Sequence, residues 1–325
     1  MLNRLFSLLT GANKDGKPAD SPRTHRSLGP ELQRHFVHSY IDQVGFEREN
    51  SVPNGVYETS IVPFVYNHEK IEGSSLTEWQ TRTIFETRDT VLSDSTTPGN
   101  VRETANHTKM FDFLFDSLDR DLTPELIQEI HLQLMDGVMD VPGQWKVLGN
   151  GVGSVITARS EEVPSLIDRL VSEYNKFEPS LENVVRFHVR FETIHPFPDG
   201  NGRVGRAIAF RECLHAGLVP FIVTDASKET YYASLDEFRA GTTTPLISYA
   251  EAMQVDFVST IAPVLADRSL SDGLLGELGI ERPNFKDDAG FVGPSTKSLR
   301  SSLDSVDKTG SEIKSDHETH RTRRV

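Results

Sequence analysis

Twelve residues, HPFPDGNGRVGR at positions 195–206, bring together a histidine, an acid, an amide, three glycines and two arginines. A helix entered through Gly200, Asn201 and Gly202 offers backbone N–H groups and the positive end of its dipole, and glycine lets a ligand approach closely. That is an anion cradle. Arg203 and Arg206, three residues apart, place two guanidinium groups on one face beside it. Facing a phosphate at about 4 Å, each contributes roughly 4 kcal/mol of gross Coulomb attraction at an effective dielectric near 20, less after desolvation. Arginine in a first helical turn opposes the dipole by roughly 0.3–1 kcal/mol, a penalty that a bound polyanion reverses.

Asp199 beside a phosphate site calls for an intervening cation, and Mg²⁺ suits a carboxylate shared with phosphate oxygens. His195, with an ordinary pKa of about 6.5, is the natural proton acceptor for an attacking hydroxyl. Together these residues imply transfer of part of a nucleotide to a hydroxyl. Taken singly, each reads as a polar turn or a helix-end residue. The order of five functional types carries the reading.

The elements that position this stretch are helical. In SLENVVRFHVRFETIH the positions Val184, Phe187, His188, Phe191 and Ile194 share one helix face, with Pro179 and Ser180 at its start and His195 at its end. VGRAIAFRECLHAG resumes the helical spacing through Ala207, Phe210 and Leu214, and Gly217 is placed to stop it. Upstream, SIVPFVYNHEKIEG sets Ile61, Phe64, Val65, His68 and Ile71 on one face and ends at Gly73. Glu72 therefore sits at a helix C-terminus, where a carboxylate opposes the dipole unless solvent or a cation compensates it. One stretch departs from helical spacing: WKVLGNGVGSVIT, residues 145–157, predicts a small β-hairpin. With helical spacing elsewhere and no solenoid repeat, the fold class is all-α.

Acids outnumber bases 48 to 34, for a formal net charge of −14. Non-specific attraction to nucleic acid or anionic lipid is thus not the main business, and any bound anion needs a local basic cluster. Cys213 is the single cysteine, which excludes an intramolecular disulfide and a thiolate metal site and favours a reducing, cytoplasmic setting. The opening MLNRLFSLL is too short to span a bilayer. The chain divides into a flexible segment over 1–30, an N-terminal helical region over 31–95, a core over 96–265 and a C-terminal extension over 266–325, largely disordered from about 284.

HPFPDGNGRVGR resembles the Fic motif, His-x-Phe-x-Asp/Glu-Gly-Asn-Gly-Arg-x-x-Arg, at every specified position. The likeness runs from the IEG at 71–73, through the glycine-rich hairpin, to the Tyr231–Tyr232 pair and the helix after it. Fic proteins are helical bundles, and most characterised members use Mg²⁺ to transfer AMP from ATP to a Ser, Thr or Tyr hydroxyl of a target protein. The resemblance implies His195 as base, Phe197 as core anchor, Asp199 as metal ligand, Gly200 to Gly202 as anion hole, and Arg203 and Arg206 as phosphate clamps. It makes the hairpin a target-docking flap, with Gly151, Val152 and Gly153 closest to the nucleotide, and puts Tyr231 on the nucleotide side. Two positions depart from the family pattern: Lys146 stands where relatives carry Arg, and Arg239 where many carry Asn.

IEGSSLT resembles the inhibitory-helix motif of the same family, Ser/Thr-x-x-x-Glu-Gly/Asn, with His68 at the Ser/Thr position. The resemblance pairs Glu72 with Arg206 and blocks productive nucleotide binding from within the chain. The function expected is a protein adenylyltransferase, inhibited by its own Glu72, whose partners are ATP and an unidentified target protein. No nucleic acid or membrane partner is expected, and a homodimer is possible. The alternatives are a de-AMPylase, a transferase of another nucleotide-derived group, or a non-catalytic binding or regulatory protein. His188, on the apolar face of its helix, reads as a hydrogen-bonded core histidine, and Cys213 as a packed helix residue.

Overall fold

A computed structural model describes residues 28–87, 98–152 and 155–280. Readings of the N-terminal segment over 1–27, of Gly153, and of the extension beyond residue 280 lie outside the described residues. The described elements are helices α1 (Pro30–Asn50), α2 (Val56–Ile71), α3 (Glu78–Thr87), α4 (Pro98–Asp116) and α5 (Pro124–Met135), then strands β1 (Gly151–Val152) and β2 (Val155–Ile156). Helices α6 (Val163–Tyr174), α7 (Leu181–Ile194), α8 (Asn201–His215), α9 (Lys228–Arg239), α10 (Thr244–Ile261) and α11 (Arg268–Leu278) follow. Among the described residues no helix is long and apolar enough to cross a membrane.

Helix α8 is the axis. Val204, Ala207, Ile208, Ala209, Phe210, Cys213 and Leu214 are all buried, and so are Arg203, Arg206, Arg211 and Glu212, so this helix is enclosed on nearly every side. It packs against α7, α5, α4 and α2. One apolar core fills the space among these helices and α1, α6 and α10, and a second lies where α9 and α10 close over α7 and α8. In the first core Phe64 meets Phe111 and Phe210 edge to face, at ring centroid distances of 4.9 and 5.1 Å.

Local chemistry sets the ends of the site helices. Ser180 caps α7 by accepting the Asn183 N–H at 3.2 Å, and Gly217 follows α8 at φ 67°. Helix α2 is held at both ends. At its start the buried Glu47 carboxylate of α1 accepts the Tyr57 N–H at 2.7 Å, and at its end Glu72 caps the helix ahead of Gly73 at φ 94°. Glu69 in its last turn accepts from His107 of α4 at 2.6 Å, with both side chains buried. Among the described residues, the stretch expected to form a hairpin contains two short paired strands, in the register Gly151↔Ile156 and Val152↔Val155. Residues 146–150 form an irregular arm leading into them.

Candidate active site

Helix α7 ends at His195, whose backbone is left-handed at φ 53°, ψ 62°. For a non-glycine residue this conformation is sparsely populated and persists only where neighbours hold it. The His195 N–H donates to Phe191 O at 2.9 Å, and its ring Nδ1 is buried without a partner among the described residues. Burial, followed by the nearby Lys146 ammonium, pushes the imidazole down to about 4, so the ring is neutral at physiological pH. A neutral ring is what a proton acceptor requires.

Phe197 is buried, stacked on His131 of α5 with ring centroids 3.8 Å apart, and anchors the loop between α7 and α8. Asn201 closes that loop: its Oδ1 accepts the Phe197 N–H and its Nδ2 donates to Phe197 O, both at 2.8 Å. The side chain of Asn201 is thus committed to the loop, and only its backbone is left for an anion. Gly200 turns the chain at φ 76°, and the first bond of the helix ladder runs from the Val204 N–H to Gly200 O at 3.0 Å. The N–H groups of Asn201, Gly202 and Arg203 lie ahead of that ladder.

Arg203 is in the first turn, but Arg206 lies one turn further in and is 3% exposed. The dipole penalty expected for both therefore falls mainly on Arg203. Arg206 Nη2 donates to Glu72 Oε1 at 2.8 Å and to His68 O at 3.4 Å. Burial raises the Glu72 carboxyl, and Arg206 more than reverses this, leaving it below the usual carboxylate range. The same carboxylate lies over the cradle: a Cβ on Gly202 would stand 2.8 Å from Glu72 Oε1 and 3.0 Å from Arg206 Nη1. A side chain at Gly202 would have to displace the Glu72 carboxylate. His68, at the family's Ser/Thr position, is buried against Phe64 at a centroid distance of 4.0 Å and is kept neutral by burial and then by Arg206.

Arg203 is held by two acids, Glu103 of α4 at 2.9 Å and Asp199 at 3.6 Å. Asp199 Oδ1 accepts the Gly200 N–H at 2.7 Å, while the side chain as a whole is 74% exposed. A carboxylate open to solvent at the mouth of an anion cradle fits a cation shared with phosphate oxygens. Among the described residues no group of three or more His, Cys, Asp or Glu could cage a metal by itself.

Residues 121–212 match the sequence model of the Fic/DOC family. That match spans the loop after His195 and both arginines. It is 25% identical over 233 residues to protein adenylyltransferase fic-1 of Caenorhabditis elegans, covering 66% of this chain and 43% of that protein. It is 26% identical over 275 residues to protein adenylyltransferase Fic of Nematostella vectensis, covering 77% and 60%. The chain thus spans less than two thirds of the length of these relatives. Its fold is similar to a Fic domain containing signaling protein from Bacteroides thetaiotaomicron, with a TM-score of 0.58 at 20% identity over 77% of this chain and 99% of that one. It is also similar to Fic-1 (residues 134–508) from C. elegans, with a TM-score of 0.56 at 22% identity over 71% and 72%.

The other residues singled out in the sequence fall outside the cradle. Tyr231 is in the core between α7, α9 and α10, and its hydroxyl meets His188 Nε2 at 2.6 Å. Its neighbour Tyr232 is the exposed member of the pair, close enough for Arg206 and Glu72 to act on its phenol. Arg239 pairs with Asp236 at 2.9 Å. His188 and Cys213 are buried, as their apolar spacing predicts.

Several groups around the cradle carry no signal in sequence spacing. Glu103 reaches Arg203 from 100 residues upstream. His131 accepts the Gly143 N–H on Nδ1 at 2.7 Å, which leaves Nε2 to donate to Asp199 O at 3.1 Å. Glu192 lies buried behind Gly205 with Oε1 unpartnered among the described residues, and burial pushes its carboxyl up to about 7 against the opposing pull of Arg206. Only the position of Glu192 three residues before His195 could have drawn notice.

Proposed function

We propose that the chain is a protein adenylyltransferase that its own Glu72 holds at rest. One observation carries this reading: the Glu72 carboxylate lies on the Arg206 guanidinium and over Gly202 of the cradle, where an anionic substrate group would sit. Arg206 is too deeply buried to stand alone, because an unpaired buried charge costs several kcal/mol. Either an internal carboxylate or a bound phosphate has to face it.

In the working state Glu72 swings away and the triphosphate of ATP takes its place, with Arg206 and Arg203 facing the phosphates and the N–H groups of Gly202 and Arg203 on their oxygens. Mg²⁺ held by Asp199 would neutralise phosphate charge. His195 accepts the proton of a Ser, Thr or Tyr hydroxyl on the target. The hydroxyl oxygen bonds to the α-phosphorus, the bond from that phosphorus to the bridging oxygen breaks, and pyrophosphate leaves. The paired strands Gly151–Val152 and Val155–Ile156 act as a flap on which an extended target segment docks by main-chain pairing, with Gly151 and Val152 towards the nucleotide. Tyr232, more exposed than Tyr231, supplies the aromatic face on the nucleotide side.

The test is transfer of label from α-labelled ATP to protein in a whole lysate. Glu72→Gly raises the signal, and adding His195→Ala removes it, with base loss alone costing roughly 10²- to 10⁴-fold. Glu72-dependent loss of AMP already attached to a target, with no net labelling, would instead make removal the main reaction. Failure of Glu72→Gly protein to bind Mg-ATP in calorimetry or to label anything would leave a binding or regulatory role.

A further inference from the structure

Lys146 is 2% exposed, which is rare for a lysine, and none of its hydrogen-bond partners is a carboxylate. Its three ammonium donors have three neutral acceptors: Asn150 Oδ1 at 2.6 Å, Thr157 Oγ1 at 3.1 Å and Ile194 O at 3.3 Å. Its backbone N–H donates to Pro196 O at 2.8 Å. One residue therefore bonds the carbonyls on both sides of His195, the residue whose left-handed backbone needs outside support. The other two ammonium bonds hold both legs of the strand pair, the arm at Asn150 and the return at Thr157.

These legs are tied further to the loop that follows His195. Asn150 Nδ2 donates to Phe197 O at 2.7 Å, Thr157 Oγ1 donates to Asn150 O at 2.6 Å, and the Ala158 N–H donates to Ile194 O at 3.3 Å. Four of these bonds end on the backbone of residues 194–197, and Lys146 makes two of the four, one from its ammonium and one from its backbone N–H. A buried ammonium without a counter-ion costs stability. Its retention here has a geometric return, a fixed distance between the strand pair and the histidine.

We propose that Lys146 is a positioning residue that locks the backbone of His195 and registers the base of the strand pair against it, so that a docked hydroxyl is presented to the imidazole at a set distance. This rests on the adenylyltransferase reading for the role of His195 but not for the architecture. A neutral residue can fill the space without supplying the donors, whereas arginine keeps both charge and donors.

The experiment compares Lys146→Met and Lys146→Arg in the Glu72→Gly background. Lys146→Met is expected to lower kcat by about 10²-fold, the scale of an ångström of misplacement, with KM for ATP essentially unchanged. Amide hydrogen exchange is expected to quicken at Lys146 and Ala158 and to stay slow in α8. Lys146→Arg is expected to recover most of kcat and the protection. Unchanged kcat and exchange in Lys146→Met, exchange loosened equally throughout α8, or an arginine variant as impaired as the methionine one would each overturn the assignment. The exchange pattern decides the point even if the parent transfers no label, so its failure is separable from failure of the adenylyltransferase reading.

Discussion

Glu72 Oε1 and Arg206 Nη2 meet at 2.8 Å across 134 residues of chain, joining the end of α2 to the second turn of α8. Glu72 is 37% exposed and Arg206 3%, so under the proposed inhibition Glu72 is the member that moves. Glu72→Gly is expected to raise labelling roughly 5- to 150-fold, the range of a typical coupling energy. It should also lower stability by about 1–3 kcal/mol, since a buried donor loses its acceptor. Saturating Mg-ATP should restore the melting temperature of the variant. Thermal unfolding with and without Mg-ATP checks both effects.

Glu103 and Asp199 compete for Arg203, and Glu103 holds it the closer of the two. Removing Glu103 frees Arg203 to fold down on Asp199 as an i,i+4 pair, which occupies the carboxylate proposed for the cation. Glu103→Ala should therefore raise the Mg²⁺ concentration needed for half-saturated ATP binding by roughly two- to fivefold, the scale of a partly exposed ion pair. Calorimetric titrations at several Mg²⁺ concentrations give the answer, and an unchanged requirement would contradict it.

Glu192 gives stability a pH dependence of defined sign. Its carboxyl is raised to about 7 when folded, so between its ordinary value and pH 7 the folded chain binds more protons than the unfolded one. Stability then falls as pH rises through this window, by an amount on the order of 3 kcal/mol for this group. Glu192→Gln removes the dependence. Denaturant titrations at pH 5.5 and 8 should differ less for the variant than for the parent, after the histidine contribution common to both is subtracted.

His131 works in the opposite direction. Burial depresses it to about 4, so the folded state binds fewer protons below the ordinary histidine range and stability is lost as pH falls from about 6.5 towards 4. Protonation on Nδ1 would also break the bond from the Gly143 N–H. His131→Phe keeps the stack on Phe197 but leaves that N–H unsatisfied, at a cost of about 1–3 kcal/mol. Its acid unfolding should begin at lower pH than the parent's, relative to its own stability at pH 7. Circular dichroism across the acid range measures it.

Much of the site was legible in the linear chain because its parts are local. His195, Asp199, Gly200, Gly202, Arg203 and Arg206 lie within twelve residues, and helix periodicity plus a glycine turn is enough to place them around one cradle. The buried faces of α2, α7 and α8 follow from apolar spacing, since burial of one stripe is what makes such helices stable in a fold. The link from Glu72 to Arg206 came from motif likeness, not from spacing. Nothing local says that the amide of Asn201 closes the loop on Phe197 and leaves only its backbone for a ligand.

By itself the sequence determined the order of chemistry, a histidine before an acid, a cradle and two cations, along with the helices that carry them. Only the tertiary structure decided which distant groups complete them: Glu103 on Arg203, His131 under Asp199, Lys146 around His195, Glu192 behind Gly205, and Tyr231 in the core with Tyr232 outside. The physical reason is that backbone periodicity is written locally and repeats every few residues. The partner of a buried charge is set by which helices pack together, and the chain separation between such partners, 100 residues for Glu103 and Arg203, leaves no periodic trace.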